Sequence, residues 1–271
     1  MPELPEVETT RRGIAPHIEG RQILRVIVRN PNLRWPIPRT LDRHLSGQTV
    51  EKVSRRAKYL LLTTAHGTAL LHLGMSGSLR IIQDGAPAEA HDHVDICFTN
   101  GRALRLRDPR RFGALLWAGR KPEQHPLLEN LGPEPLGEDF NADYLYRRSR
   151  GRRIAIKPYL MDSHTVADIG NIYANEALFL AGIHPLRAAG RISINRYEGL
   201  TEMIRRVLGE SIQQGGTTLR DFVNDRGEPG YFRLYLHVYG RTGDPCPVCA
   251  MPVRQIRQSQ RATYYCAHCQ K

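Results

Sequence analysis

The sequence predicts an α+β chain of several domains, and three observations support this fold class. Short β-rich runs, separated by turn dipeptides such as His66-Gly67 and Asn100-Gly101, repeat up to about residue 120. After a proline-rich stretch, the apolar residues recur with helical spacing. Two Cys-x-x-Cys pairs lie within the last 26 of the 271 residues. A β-sandwich or barrel, a helical region and a metal-binding module are therefore expected in that order.

Residues 3–18 are predicted to form one helix, whose apolar residues lie near helical spacing and which Gly20 ends. In front of it, Met1 precedes a small residue, so its removal is expected and would leave Pro2 at the N-terminus. An α-amino group titrates near pH ~8, about two units below a lysine, and can be a neutral nucleophile.

The secondary amine of Pro2 can attack a sugar carbon and form an iminium adduct, and Glu3 beside it can move a proton. The structural alternative is that Pro2 and Glu3 only open a helix, with acidic groups facing the positive end of its dipole. The rest of the chain has to decide between these two interpretations.

Eight runs in the first 120 residues have the composition of β-strands. They are 23–28, 49–53, 59–63, 68–73, 78–82, 94–98, 103–106 and 114–117. So many short strands at near-regular spacing favour a sandwich or barrel. Residues 121–139 carry four prolines and two glycines. We interpret this stretch as the end of the first domain and a linker.

The part of the chain after the linker is predicted to be helical. Seven apolar residues between Ile194 and Ile212 fall on one stripe of a helix. A shorter helix is expected around Ala174 and Leu178, ended by Gly182. Residues 217–239 show no strong period and are expected to form a loop.

The charge of the chain favours a polyanionic partner. Lys and Arg number 39 against 27 acidic residues, which gives +12 and a pI near 9.8. A solvated basic surface is the alternative. No run approaches the ~18 apolar residues of a membrane span, and no signal-peptide core follows the N-terminus. A cytoplasmic protein with reduced thiols is therefore expected, and an integral membrane protein is excluded.

Four cysteines near the C-terminus have the spacing of a zinc site. Cys246 and Cys249 form one Cys-x-x-Cys pair, and Cys266 and Cys269 form the second after sixteen residues. Two disulfides are the alternative, which a reducing compartment disfavours. Four thiolates leave zinc no open position, so one structural zinc is expected. The segment between the pairs carries arginines, Arg261 among them, and is predicted to be a zinc hairpin that reaches a nucleic-acid backbone.

Two basic segments and one turn are further candidates for nucleic-acid contacts. Residues 102–112 place five arginines beside Phe112, which can wedge between bases. Residues 147–157 hold six basic side chains. The turn at 170–176 leads into a helix, where backbone N–H groups and Asn171 can hold a phosphate. The alternatives are a charged strand edge, a solvated face and an ordinary N-cap, respectively.

Met75 and Lys58 also lie in notable places in the predicted sandwich. Met75 belongs to a glycine-rich turn at a strand end, although a gap-filling core methionine is the usual alternative. Lys58 enters an apolar strand, where it can be a snorkelling edge residue.

Ten motifs distributed over nearly the whole chain are similar to those of one family. They are PELPEVET at 2–9, RRAKYL at 55–60, HLGMSGSLR at 72–80, HDHVD at 91–95, DPRRFG at 108–113, LGPEPL at 131–136, AIKP at 155–158, GNIYANEALF at 170–179, GGTTLRDF at 215–222 and QRATYYC at 260–266. With these motifs, the chain resembles the bacterial formamidopyrimidine-DNA glycosylase family, whose members excise 8-oxoguanine and cleave the abasic site.

This resemblance implies an N-terminal β-sandwich with an N-terminal helix, a helical domain with a helix–two-turn–helix motif, and a C-terminal zinc finger with four cysteine ligands. The implied domains are a catalytic domain at 1–120, a linker at 121–150, a DNA-binding domain at 151–240 and the zinc finger at 241–271. Residues 217–235 would be the loop that closes over the damaged base. The implied partner is damaged double-stranded DNA, bound by a monomer.

The resemblance also implies catalytic roles. Pro2 would be the Schiff-base nucleophile and Glu3 the acid that acts on the sugar ring. Lys58 and Arg261 would donate the protons for β- and δ-elimination. Lys58, Asn171 and Arg261 would also hold the phosphates that flank the lesion.

The remaining residues matched by the resemblance are DNA contacts. Met75, Arg110 and Phe112 would fill the space left by the flipped nucleotide, with Arg110 facing the orphaned cytosine. His91 and Arg152 would be further contacts.

Two alternatives to this function and one departure from the family pattern stay open. An endonuclease VIII-like enzyme would prefer oxidised pyrimidines, although Leu4 within PELPEVET favours the purine branch. A non-enzymatic DNA-binding zinc protein would explain the charge but not the N-terminus. Asp168 stands where a glycine is expected, and a positive φ there would suit aspartate less well than glycine.

Overall fold

The structure, a computed structural model, describes residues 2–215 and 236–271. The described residues form two compact units. The first holds residues up to 129 together with 214–215, and the second holds the rest. The loop predicted at 217–235 lies outside the described residues. Within the described part of the chain, no helix is long and apolar enough to cross a membrane.

The first unit contains the N-terminal helix α1 (Leu4–Ile18), a short helix α2 (Leu41–Leu45) and two antiparallel sheets. Its described strands are β1 Ile23–Val28, β2 Lys52–Arg56, β3 Tyr59–Thr64, β4 Gly67–His72, β5 Ser78–Gln83, β6 Asp92–Phe98, β7 Arg102–Arg107 and β8 Ala114–Gly119. One sheet has the order β1-β6-β7-β5 and the other β2-β3-β4-β8. Every predicted strand overlaps an observed one.

One apolar core lies between the two sheets and α1. Val7 and Ile18 of α1, Phe98 of the first sheet, and Leu60 and Leu71 of the second belong to the same cluster of buried side chains. Because both sheets contribute to one core, the predicted β-sandwich with an N-terminal helix is confirmed.

The strand predicted at 49–53 begins later than expected. Thr49 makes only an isolated bridge with Gln22, and the Val50 N–H donates to the Arg21 carbonyl. These two residues therefore tie the turn after α1 to the sandwich, and β2 starts at Lys52. A β-rich composition predicts an extended backbone, but it does not tell which partner the backbone pairs with.

Arg105 in β7 is the centre of a buried ionic cluster. Its side chain is 4% exposed, and its guanidinium donates to both carboxylate oxygens of Asp95 at 2.8 Å. It also donates to Asp92 and to the backbone carbonyls at 86–87. Burial alone would raise the pKa of Asp95, but the hydrogen bonds from Arg105 and Arg29 lower it. The cluster thus fixes the loop that leads into β6.

The second unit consists of helices and a C-terminal β-hairpin. Its described elements are α3 Ala142–Ser149, α4 Ile156–Met161, α5 Asn171–Leu180, α6 Ile194–Gln213, β9 Arg254–Gln258 and β10 Arg261–Tyr265. Helix α6 packs against α3 and α5, and α5 contacts β10. The predicted stripe on α6, from Ile194 to Ile212, is buried except for its first residue, Ile194. The shorter helix predicted around Ala174 is α5.

Part of the stretch for which a linker is predicted is folded. Phe140 and Leu145 are fully buried, and α3 packs on α6. The second unit accordingly begins at Asn130. The remaining predicted domain boundaries, after residues 150 and 240, stay predictions.

Asp168 lies in the buried turn between α4 and α5 and has a φ of 66°. This is the left-handed region that glycine tolerates best, as expected for a position where aspartate replaces glycine. We expect Asp168→Ala to lower the free energy of unfolding by about 1 kcal/mol more than Asp168→Gly does. Both variants lose the carboxylate, so their difference isolates the backbone strain. Equal urea midpoints for the two variants would contradict the prediction.

Candidate active site and nucleic-acid interface

The N-terminus of the chain is held in place by a reciprocal cap. Glu3 is the N-cap of α1, and Glu3 and Glu6 form a capping box in which the Glu3 N–H donates to Glu6 Oε2 at 2.8 Å. Pro2 and Glu3 are both buried, and Glu3 is 4% exposed. The capping box therefore fixes Glu3, and with it the adjoining residue Pro2, at the positive end of a helix.

Lys58 lies in the turn between β2 and β3, next to a histidine that the sequence analysis did not single out. His72 ends β4, pairs with Tyr59 in the sheet, and accepts a hydrogen bond at Nδ1 from the Gly74 N–H. Burial of its ring, followed by the positive charges of Lys58 and Arg34, lowers the pKa of His72 to about 4. At neutral pH the ring is uncharged and its Nε2 carries the proton, so it can donate one hydrogen bond to an anion.

Met75, Arg110 and Phe112 lie on two loops that are joined backbone to backbone. A Cβ on Gly74, which has a φ of 66°, would lie 2.4 Å from the Phe112 carbonyl carbon, so only glycine permits this approach. Phe112 is 41% exposed, and the Arg110 guanidinium lies 4.8 Å from its ring centroid. The structure therefore presents an aromatic side chain and an arginine together at the surface, as a wedge requires.

Asp108 connects the same two loops. Its fully buried carboxylate accepts hydrogen bonds from Ser76 Oγ at 2.9 Å and from the Gly113 N–H at 2.7 Å. Ser76 Oγ in turn accepts the Arg110 N–H at 3.2 Å. The predicted contact His91 is attached to this group as well, because its carbonyl accepts the Asp108 N–H. Asp108 thus fixes the positions of the wedge residues.

Asp108→Ala is expected to lower the free energy of unfolding by about 2 kcal/mol, because two donors lose their acceptor inside the protein. We also expect base excision to fall by roughly a hundredfold, the loss associated with about an ångström of misplacement. Urea denaturation and excision rates measure the two effects. Asp84→Ala is the control. Asp84 pairs with Arg25, which is more exposed than the partners of Asp108, so this variant should lower the free energy of unfolding by at most about 1 kcal/mol. Unchanged excision by Asp108→Ala would contradict the role of this carboxylate.

A cavity of about 410 Å³ lies against the wedge. Asn32 and Arg34 line it together with Arg110, Arg111 and Phe112. The Arg34 N–H donates to the Gly113 carbonyl, which ties the 30–36 loop to the wedge loop. Cationic walls beside one aromatic side chain suit a nucleobase and its phosphate. Sequence reasoning missed Asn32 and Arg34 because they lie far from residue 110 in the chain.

In the second unit, Asn171 is the first residue of α5 and follows the N-cap Gly170. Its Nδ2 lies 3.5 Å from Tyr239 Oη, and the Tyr239 ring contacts the ring of Tyr264 in β10 with centroids 4.9 Å apart. The first N–H groups of a helix of ten residues point toward this place, an arrangement that binds phosphate. Arg152 lies on the surface before α4.

Arg261 begins β10 after a tight turn in which Ser259 and Gln260 have positive φ, and its side chain is exposed. Lys157 anchors this hairpin. It is 1% exposed, and its Nζ donates to the Ala262 carbonyl at 2.9 Å and to Thr263 Oγ1 at 2.7 Å. The basic block at 147–157, a candidate for nucleic-acid contacts, therefore contains one residue, Lys157, with a structural role instead.

Four cysteine thiols converge beside the hairpin. The Sγ atoms of Cys246, Cys249, Cys266 and Cys269 all lie within 4.8 Å of one another, and none of these cysteines forms a disulfide in the described part of the chain. Ligands about 2.3 Å from a tetrahedral zinc lie about 3.8 Å apart, close to the 3.8 Å and 3.4 Å found for two of the pairs. The residues fit one structural zinc, and the disulfide alternative is wrong.

The predicted site residues are divided between the two units. The first unit brings Met75, Arg110 and Phe112 together and places His91 on the same hydrogen-bonded group. The remaining ones are Pro2, Glu3 and Lys58 in the first unit, and Arg152, Asn171, Arg261 and the four cysteines in the second. A candidate amine nucleophile and nucleic-acid contacts in one chain define the class as enzymes that act on DNA.

Comparison with known proteins agrees with this class. Residues 1–115 match the N-terminal domain of formamidopyrimidine-DNA glycosylase, 131–223 match its H2TH domain, and 243–271 match a zinc finger found in FPG and IleRS. Formamidopyrimidine-DNA glycosylases of Thioalkalivibrio sulfidiphilus and Methylococcus capsulatus are 60% and 59% identical to the chain over 271 residues and are covered completely, as the chain is.

Solved structures agree as well. A point mutant of the Lactococcus lactis FPG in complex with Fapy-dG-containing DNA has a TM-score of 0.91 at 33% identity, with full coverage of both chains. MutM (FPG) from Thermus thermophilus has a TM-score of 0.88 at 37% identity, with 99% of this chain and 98% of that chain covered. The chain belongs to the formamidopyrimidine-DNA glycosylase family and is a DNA glycosylase, so the non-enzymatic alternative is wrong.

Proposed function

We propose that this protein is a base-excision-repair enzyme that removes oxidised purines, 8-oxoguanine and formamidopyrimidines, from duplex DNA and then cleaves the strand by β,δ-elimination. The observation that carries the proposal is the N-terminus, where the capping box fixes Glu3 directly after Pro2 in the chain. The Lactococcus lactis relatives are seen with DNA that contains Fapy-dG or an abasic site, which supports the same substrates here.

The proposed chemistry begins at Pro2. Once Met1 is removed, Pro2 carries a free α-amino group, a type of amine that titrates near pH ~8 and can therefore supply a neutral nucleophile. The amine attacks C1′ and loses its proton as the bond from C1′ to the base breaks, so that the base leaves in protonated form. Protonated Glu3 then gives a proton to the sugar ring oxygen as the ring opens to the iminium. The iminium acidifies the C2′ proton, whose loss expels the 3′ phosphate. Lys58 and Arg261 serve the proton transfers of the two eliminations.

The proposed DNA contacts have two tasks. Met75, Arg110 and Phe112 occupy the space that the flipped nucleotide leaves, which offsets part of the few kcal/mol lost on unstacking. The other contacts neutralise or hydrogen-bond to phosphates, and binding should therefore weaken steeply with salt. They are Lys58, His72, His91, Arg152, Asn171 and Arg261.

The same proposal covers organisation and location. We assign the catalytic domain to 1–120, the linker to 121–150, the DNA-binding domain to 151–240 and the zinc finger to 241–271. The enzyme is proposed to act as a monomer. A chromosomal DNA substrate supports a cytoplasmic, nucleoid-associated bacterial enzyme.

Borohydride trapping tests the proposed function directly. With 8-oxoguanine duplex, reduction is expected to give a covalent protein–DNA adduct that Pro2→Gly lacks while still binding DNA. Intact mass measured beforehand establishes that Met1 has been removed. Absence of an adduct in the processed protein would rule out the Schiff-base mechanism. Faster excision of thymine glycol than of 8-oxoguanine opposite cytosine would favour the endonuclease VIII-like alternative.

A further inference from the structure

A buried carboxylate in the second unit holds the backbone that leads into the zinc finger. Glu176 of α5 is 3% exposed and accepts four hydrogen bonds. Three come from the successive backbone N–H groups of His237, Val238 and Tyr239, at 2.8–3.0 Å. The fourth is the 2.8 Å contact with His237 Nδ1. The protonation state of His237 is thus coupled to the backbone position of the next two residues, because all three share the Glu176 carboxylate.

His237 itself is half exposed, and its ring stacks on Phe179 of α5 with centroids 5.6 Å apart. The hydrogen bond to Glu176 raises the pKa of His237; burial and Arg206 oppose this, and Glu210 adds to it. Arg206 and Glu210 of α6 pair with each other at 2.8 Å. On its own segment, Arg241 donates to the His237 carbonyl at 3.1 Å. The imidazolium therefore persists above its usual range near pH ~6.5.

The residues held by Glu176 reach the proposed phosphate site. Val238 is fully buried against Cys246 and Cys266, so its position is shared with the zinc-binding core. Tyr239 lies 3.5 Å from the Asn171 amide and packs on Tyr264 of β10. A change in the strength of the hydrogen bonds between Glu176 and the backbone of 237–239 therefore changes the position of Tyr239. The contact between Tyr239 and Asn171 changes with it.

We propose that His237, acting through Glu176, is a positioning residue of the phosphate site around Asn171, and that damaged duplex binds more tightly when its imidazole is protonated. The inference rests on the proposed function. The imidazolium strengthens the ion pair that holds 237–239 and adds a positive charge near the phosphates. By thermodynamic linkage, DNA must in turn favour the protonated ring.

Binding measured as a function of pH tests this inference. The probe is a duplex with a tetrahydrofuran abasic-site analogue, followed by fluorescence anisotropy at constant ionic strength from pH 6.0 to 8.5. His237→Gln keeps an N–H donor for Glu176 but does not titrate. We expect the affinity of the wild type to fall over this range by roughly fivefold more than that of the variant, the lower end of coupling between two sites. Superimposable profiles would overturn the proposal.

His164→Gln is the matched control. His164 also pairs with a carboxylate, Asp162, at 3.1 Å in the same unit, but this pair is on the surface. Its variant should keep the wild-type profile. If His237→Gln does not fold, NMR titration of the wild type decides. The pKa of His237 should rise by about 0.7 unit in the DNA complex, which is the fivefold effect on a logarithmic scale, and an unchanged value would overturn the proposal.

Excision of 8-oxoguanine, assayed in the same samples, separates this inference from the proposed function. If the wild type excises the base but its DNA affinity has the same pH dependence as that of His237→Gln, the positioning role alone is overturned. A wild type that binds the duplex but never excises would overturn the proposed function.

Discussion

Replacing Glu3 by glutamine is expected to lower the rate of base excision by about three orders of magnitude while the fold stays intact. A glutamine oxygen can still serve the capping box with Glu6, so the start of α1 is held as before. The amide cannot give a proton to the sugar ring, and positioned acid catalysis contributes about 10²- to 10⁴-fold. Single-turnover excision of 8-oxoguanine opposite cytosine measures the loss, and thermal unfolding monitors the fold.

Glu8→Gln is the control for this experiment. Glu8 is another acidic residue of α1, but it pairs with Arg11, Arg12 and Arg55 away from the cap. Its variant should excise at nearly the wild-type rate and lose about 1–3 kcal/mol of stability, because the Glu8 side chain is only 12% exposed. A Glu3→Gln protein with wild-type excision would show that another group supplies the proton.

Removal of zinc is expected to abolish specific binding to damaged duplex. The four cysteines close a hairpin too small to fold alone, and structural zinc contributes about 10–16 kcal/mol of apparent binding energy in such modules. Cys246 and Cys266 also belong to the buried cluster with Phe179, Val238 and Val253. Loss of the metal would therefore release Arg261 and weaken the packing beside α5. Anisotropy after treatment with a chelator, with metal content measured in parallel, tests this.

Cys97→Ala is the control for the metal experiment. Cys97 is fully buried in β6, outside the zinc-binding cluster. Its variant should retain zinc and DNA binding, and should lose only about 1 kcal/mol of stability from the small cavity. Undiminished affinity in a zinc-free wild-type protein would mean that the hairpin does not contact the DNA.

Those parts of the structure that depend on local periodicity were predictable from the sequence. Alternating and β-branched runs gave the sandwich strands, and the stripe from Tyr197 to Ile212 gave α6. The zinc ligands follow from spacing alone, because Cys-x-x-Cys pairs bring thiols together locally. The roles proposed for Pro2 and Glu3 rest on the resemblance, since the same residues also make an ordinary helix start.

The supports of the site were not predictable, because their partners are distant in the chain. Asp108 and Ser76 are 32 residues apart, Glu176 and His237 are 61 apart, and Lys157 and Thr263 are 106 apart. A buried carboxylate or lysine gives no periodic signal, and its role appears only when the fold supplies the partner. His72 was overlooked for the same reason: its neutrality is set by burial and by Lys58 and Arg34.

The buried ionic cluster around Arg105 contributes to the response of the first unit to acid. The pKa of Asp95 is lowered in the folded protein, so its contribution to stability is complete above the unfolded value of ~3.9 and is lost as pH falls through the folded value. Loss of the stability that Asp95 contributes should thus begin only below about pH 4 and be accompanied by proton uptake at this carboxylate, whereas the buried neutral ring of His72 already lowers stability as pH falls below about 6.5. Asp95 consequently stays ionised from pH 6.0 to 8.5, and its charge does not contribute to the titration expected for His237.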